Sequence, residues 1–342
     1  MRHHEPSATI TASETPGHES LRGAVLREGA FFRSRIVAVA AGLYVLLVLV
    51  ASFHFNVPLT PDRVVVLLLI LAFTTGRVRT FLKDWSIFLV VLLAWQVLTS
   101  MSRNFGNFKP HVTEMIVVDK FLFFGHVPTL WLQEHFYHPG HLAWYDIAAT
   151  ILYLMHFAFP MGVAFALWLF HRQVFLTFMV AFLLVALAGF ATFVLYPAAP
   201  PWIAANWWHY MPHVHKILRA GIDFFGGETS FSALYVWLWN HGGWDPFGAV
   251  PSEHAALPFL CFLYARQAWP RGGWLLLPYC IAVWIAVVYL GEHYVVDVIA
   301  GVLYAAAGYI AVELIVLYQW SRTDMKPVPG NRPDTVSDTL SP

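Results

Sequence analysis

The chain has 342 residues and a formal net charge of zero, with 58% hydrophobic and only 12% charged residues. A soluble domain carries about 25% charged residues, so an ordinary soluble fold is excluded, and the neutral balance excludes a basic footprint for nucleic acid. Fifteen Trp and a 17% aromatic share supply the interfacial belts of a membrane protein.

Residues 1–35 are mostly polar and read as a disordered cytoplasmic tail with no secretory signal. The first apolar run, 36–55, is long enough to span a bilayer. The next, 64–76, is short, flanked by Arg63 and Arg77, and reads as a tilted or re-entrant second segment. Six more follow at 85–101, 146–170, 174–195, 253–269, 274–290 and 294–320, and residues 321–342 read as a second disordered tail. The expectation is an all-α, multi-pass helix bundle: two N-terminal helices over 36–83 and a six-helix catalytic domain over 84–320. Cys261 and Cys280 lie in apolar segments and read as small core residues.

Two long connections, 102–145 and 196–252, are rich in Trp, His, Pro and Gly, and connections of that length usually carry function. With the N-terminus inside, fourteen Lys and Arg fall on inner segments and six on outer ones. The positive-inside bias therefore places both termini in the cytoplasm and both long connections outside the cell membrane. Three stretches then share the outer side: "LYPAAPPW" (Leu195 to Trp202), "PSEH" (Pro251 to His254) and "GEHYVVD" (Gly291 to Asp297).

Pro251 suits the first turn of a helix and Ser252 its cap, and a helix start offers unpaired N–H groups to an anion. His254 falls in that first turn. His293 and Asp297 are four apart and so share a helix face, where the carboxylate accepts from one ring nitrogen and leaves the other as nucleophile or base. This set suits phosphoryl transfer. His293 attacks phosphorus, Asp297 fixes its tautomer, and His254 protonates the leaving oxygen and later deprotonates the acceptor. The scheme needs no cofactor and no metal.

"FGAVPSEHA" and "GEHYVVDVIAG" resemble the second and third motifs of the type-2 phosphatidic acid phosphatase superfamily, most closely its inositol phosphorylceramide synthase branch. "LYPAAPPW" and "LFFGHVPTLWLQ" (Leu122 to Gln133) are similar to further stretches of that branch, and the resemblance covers roughly residues 84–320. It implies the same roles: His293 as nucleophile, His254 as acid and base, Asp297 as orienter. The hydrolases of the superfamily carry KxxxxxxRP and SRxxxxxH. Here no KxxxxxxRP precedes Pro251, and Ala286 and Val287 stand where the Ser and Arg would be. A weak cationic clamp favours a singly charged phosphodiester over a phosphomonoester with about −1.5 to −2 charges. Lys216 and Arg219 are candidates to replace the missing charges, with Ser252, Pro251 and Trp202 lining the substrate site. The partners expected are a phospholipid donor, an alcohol or lipid acceptor, and the bilayer; no partner subunit is indicated.

Blander readings accompany these. A His–Asp pair at this spacing is often structural. His135, His138 and His141, and the group His209, His213 and His215, read as interfacial residues more than metal ligands. Glu253 reads as pointing to the interface, "PAAPPW" as a stiff rim, and Asp119, Lys120 and Asp223 as solvated loop charges. A phosphatase using water as acceptor shares the same site. The rivals of other classes are a transporter or scaffold with a polar pocket and a metal-dependent enzyme.

Overall fold

The computed structural model describes residues 61–86, 88–90, 110–227 and 247–324, all within the compact unit Asn56–Pro342. The expected segment 36–55, most of 85–101, the N-terminal tail and residues 325–342 lie outside the described residues, while 321–324, expected in the second tail, are helical. The described residues are all-α, with only isolated β-bridges. In chain order the helices are α1 (Pro61–Thr74), α2 (Thr113–Leu122), α3 (Pro128–Phe136), α4 (Trp144–Leu154), α5 (Ala158–Phe170), α6 (Arg172–Leu195), α7 (Pro201–Asn206), α8 (Ile217–Phe224), α9 (Glu253–Ala268), α10 (Leu276–Tyr289) and α11 (Val295–Asp324).

Helix α6 and the stretches Gly272–Tyr289 and Val295–Tyr318 are long and apolar enough to cross a membrane. The expected span 146–170 is instead two helices, α4 and α5, bent by 56° at a break over Met155–Phe157. Helix α1 has 14 residues, about 21 Å of helix. That is less than the roughly 30 Å hydrocarbon core, in keeping with its short apolar run.

Helix α9 is the centre of the bundle and packs on α5, α6, α10 and α11. Its 16 residues are apolar on nearly every side, and Ala255, Ala256, Leu257, Leu260, Cys261 and Tyr264 are almost fully buried. A helix apolar all round is one with no solvent or polar face. Helix α5 and the start of α6 are fastened by Asp84, which accepts two hydrogen bonds from Arg172 (2.6 and 2.7 Å) and one from Trp168 Nε1–H (3.0 Å). These charge-assisted bonds hold the Asp84 carboxyl below its ordinary range. Phe81 and Trp85 pack beside them against Phe165 and Phe175.

The starts of α9 and α11 meet closely. Ser252 N–H donates to the Asp297 carbonyl (3.0 Å), and a side chain on Gly301 would overlap the Ser252 carbonyl oxygen. Only glycine permits that approach. Gly301→Ala should therefore lower thermal stability in detergent by about 1–3 kcal/mol through overpacking, although Ala is otherwise the better helix former. Gly162→Ala, where a Cβ meets open space, should not lower it. Equal melting curves for the two variants would refute the close contact.

Candidate active site

The contact between α9 and α11 brings the two histidines of the sequence together. His293 Nε2 lies 3.4 Å from His254 Nδ1. His254 is in the first turn of α9, as its spacing predicts, and Ser252 is the N-cap residue. Pro251 precedes the cap and is not part of the first turn. The Ser252 hydroxyl does not cap: its buried Oγ has no hydrogen-bond partner among the described residues. Glu253 and His254 open α9, where backbone N–H groups have no partner within the helix.

His293 does not sit on the helix face with Asp297. Helix α11 begins at Val295, and His293 precedes it. Its Nδ1 lies 3.0 Å from the Ala249 carbonyl oxygen, against 3.7 Å from Asp297 Oδ2. A carbonyl only accepts, so Nδ1 carries the proton and Nε2 presents its lone pair. The tautomer is thus fixed by a backbone group, and Asp297 adds a nearby negative charge. Asp297 is fully buried; its Oδ2 accepts from Tyr294 N–H (2.8 Å), while its Oδ1 has no hydrogen-bond partner among the described residues.

The Ala249 carbonyl is held in turn by "LYPAAPPW". Ala198 N–H donates to Phe247 O (2.7 Å), and Ala249 N–H donates to Ala198 O (3.2 Å). On its other side Ala198 bridges to His111. Ala198 and Ala199 are completely buried, so this stretch is an internal brace and not a rim. Pro201 is the first residue of α7, where a missing N–H costs nothing.

Sequence reasoning missed three side chains. His254 is sandwiched between Tyr153 (ring centroids 4.2 Å) and His156 (4.1 Å). His156 lies at the α4–α5 break, and its buried Nδ1 has no hydrogen-bond partner among the described residues. Its signal was present: a lone histidine inside an apolar span is costly to keep. Asp119 is completely buried and not solvated. It accepts from Val295 N–H (3.1 Å) and Val296 N–H (3.0 Å), capping α11 from another helix. Burial, with the Asp297 charge nearby, pushes its carboxyl up to about 6.

Of the remaining candidates, Trp202 is buried and donates through Nε1 to Glu292 Oε2 (3.2 Å), next to His293. Burial raises the Glu292 carboxyl to about 7. The Lys216 ammonium stands over the Trp202 ring at 4.0 Å. These two therefore reach the loop that carries His293. Arg219 is exposed and pairs with Asp223 four residues on (3.2 Å). Glu253 is buried and does not face the interface; its carboxyl fills the space left by Gly189 on α6. His135 stacks on Trp131, and His138 bridges to His141. Among the described residues no three His, Cys, Asp or Glu side chains form a metal-binding group.

A family model described as the PAP2 superfamily matches residues 113–311, which include every residue of this site. The chain belongs to the PAP2 superfamily. Among curated proteins it is similar to a phosphoinositol dihydroceramide synthase of Bacteroides thetaiotaomicron, at 34% identity over 51% of this chain and 57% of the relative. It is also similar to an inositol phosphorylceramide synthase of Candida albicans, at 31% identity over 46% of this chain and 33% of the relative. The matches thus span about half and one third of those relatives' lengths. No solved structure matches the chain.

The raised carboxyl of Asp119 has a signed consequence. Between about pH 4 and 6 the folded state keeps a proton that the unfolded chain releases, so stability falls as pH rises through that window. A shift of about two units corresponds to roughly 3 kcal/mol. Asp119→Asn should flatten this slope and keep an amide oxygen on the α11 N-terminus. Asp119→Ala should also flatten it but destabilise at every pH, by about 1–3 kcal/mol, through orphaned N–H groups. Thermal melts from pH 4 to 8 check this; an unchanged slope in Asp119→Asn refutes it.

Proposed function

We propose that this PAP2 protein transfers a phosphoryl-headgroup from a phospholipid to a lipid alcohol through a phosphohistidine on His293. The observation that carries this reading is the protonated Nδ1 at the Ala249 carbonyl, which leaves Nε2 as a lone pair facing His254. In the first step Nε2 attacks phosphorus, the bond from phosphorus to the lipid oxygen breaks, and His254 gives that oxygen a proton. In the second step His254 takes the proton of the acceptor hydroxyl. The acceptor oxygen attacks phosphorus, and the N–P bond breaks. At 3.4 Å the two rings leave no room for phosphorus, so substrate parts them. Tyr153 and His156 hold the plane of the His254 ring while it moves.

Charge supports a phosphodiester donor. Asp119 accepts from the first two N–H groups of α11, and Asp297 accepts from Tyr294 N–H just before it. A dianionic phosphomonoester meets these carboxylates at greater cost than a monoanionic diester. The Lys216 cation and the start of α9 suffice for one negative charge. Both relatives are named as synthases that join phosphoinositol to a ceramide-type lipid. An inositol phospholipid donor and a ceramide-class acceptor are the substrates this reading favours, and water as acceptor is the second.

Purified protein given a headgroup-labelled phospholipid and quenched rapidly should yield an acid-labile, alkali-stable protein adduct. His293→Ala should give none and lose turnover by about 10³-fold or more, as expected for a lost nucleophile. His254→Gln should lose about 10²–10⁴-fold with a lipid leaving group and much less with a nitrophenyl diester. Mass analysis with and without a lipid alcohol separates transfer from hydrolysis. Full activity in folded His293→Ala would end the reading.

The charge bias of the loops assigns the site to the outer face. Tyr210, exposed in the loop between α7 and α8 at the catalytic end, and Arg271, exposed between α9 and α10, are the test positions. A cysteine at Tyr210 should react with an impermeant thiol reagent in intact cells, and one at Arg271 should not. The reverse pattern would place the reaction in the cytoplasmic leaflet. The native Cys261 and Cys280 are buried and should stay silent.

A further inference from the structure

A groove of about 770 Å³ lies between α3, α10 and α11, and its lining is almost wholly apolar. It begins at Val295, two residues after His293, and follows one face of α11 through Val298, Ile299 and Val302 to Leu303. That is roughly 12 Å of helix. The opposite wall is Trp284 and Val288 of α10. Trp284 Nε1–H donates to the Ala255 carbonyl (3.4 Å), next to His254. Val288 and Val298 share one hydrophobic cluster with Ala255, packed against Tyr153. The floor of the groove is therefore the back of the cage that holds His254.

The groove also has a polar end. It shares His126 and Trp131 with a second hollow of about 770 Å³, lined by Lys120, Gln133, His213 and His215 among others. Gln133 donates to the Tyr289 carbonyl (2.8 Å), where α10 ends and the chain turns toward His293. The polar end thus lies at the catalytic end of the bundle, and the apolar length runs away from it along helices of membrane-spanning length.

We propose that this groove holds one hydrocarbon chain of the lipid that reacts at His293, an inference that rests on the phosphotransfer reading above. The order of polar end, reacting group and apolar track is that of an amphiphile. A second copy of this chain packing there would have no use for the polar end. Bilayer hydrocarbon is as apolar as the groove, so seating a chain in it gains little affinity. What the groove supplies is register, because a chain held beside α11 brings its own polar end to His293 and His254 in a reactive pose.

The test uses the full chain in detergent and two donors, a long-chain phospholipid and a water-soluble nitrophenyl phosphodiester with no chain. If the unaltered protein turns over neither, the phosphotransfer reading itself fails. Given turnover of both, Val302→Trp and Ile299→Trp should lower kcat/KM for the long-chain lipid by about tenfold or more, the scale of a lost positioning contact. The chainless ester should keep its rate, which also reports an intact fold. Leu314→Trp, exposed on α11 beyond the groove, should change neither rate. Val302→Ala removes wall without adding bulk; it should lower the long-chain rate alone, and it decides the matter should tryptophan disturb packing. An unchanged long-chain rate in Val302→Trp and Val302→Ala, or equal losses on both donors in Val302→Ala, overturns the proposal. So does a change of oligomeric state in Val302→Trp with donor preference intact, which would make the groove an interface between copies.

Discussion

One backbone contact underlies the site: the start of α9 lies directly on the first turns of α11, with Ser252 N–H on the Asp297 carbonyl and Gly301 yielding the space. It places His254 against His293, and it buries Asp297 completely. A helix centred in the bundle, as α9 is, cannot tilt without moving four neighbours. The backbone that carries His254 therefore inherits the rigidity of the packed core, while its ring is left to move.

A second layer of order comes from carbonyls and carboxylates on backbone groups. Ala198 fixes residues 247–249, Ala249 fixes the His293 tautomer, Asp119 satisfies the first two N–H groups of α11, and Asp297 satisfies that of Tyr294 just before it. Gln133 joins α3 to the His215 loop and to the end of α10 through three hydrogen bonds. These links run through the long connections, which explains why such connections hold so many buried residues. They also account for a site that orients His293 without relying on a single ion pair.

Much of this was legible in the sequence, because hydropathy writes membrane helices plainly and because Ser252, His254, His293 and Asp297 stand at motif spacings. The sequence placed His254 in a first turn, and it stands there. It did not show that α11 starts only at Val295, since the His293–Asp297 spacing fits a helix equally well from either side of the helix start. Nor did it show the Ala249 carbonyl, because backbone acceptors carry no residue signature. Asp119 was misread for a related reason. A lone Asp in a long polar connection looks solvated until the fold brings a bare helix N-terminus to it. Glu253 was misread because its room is made by Gly189, sixty-four residues earlier. His156 interrupts an apolar run, and only the break at Met155–Phe157 reveals that the interruption faces the site.

The shortness of α9 sets the depth of the chemistry. Sixteen residues make about 24 Å of helix, less than the roughly 30 Å of hydrocarbon. Arg266 lies in its last turn and Arg271 just beyond it, cations suited to a headgroup layer. The opposite end carries Ser252 and His254. On the phosphotransfer proposed above, a helix shorter than the hydrocarbon thickness would put the reaction below the lipid headgroups, so a lipid would reach His293 by sinking slightly and bulk water would have to follow it down.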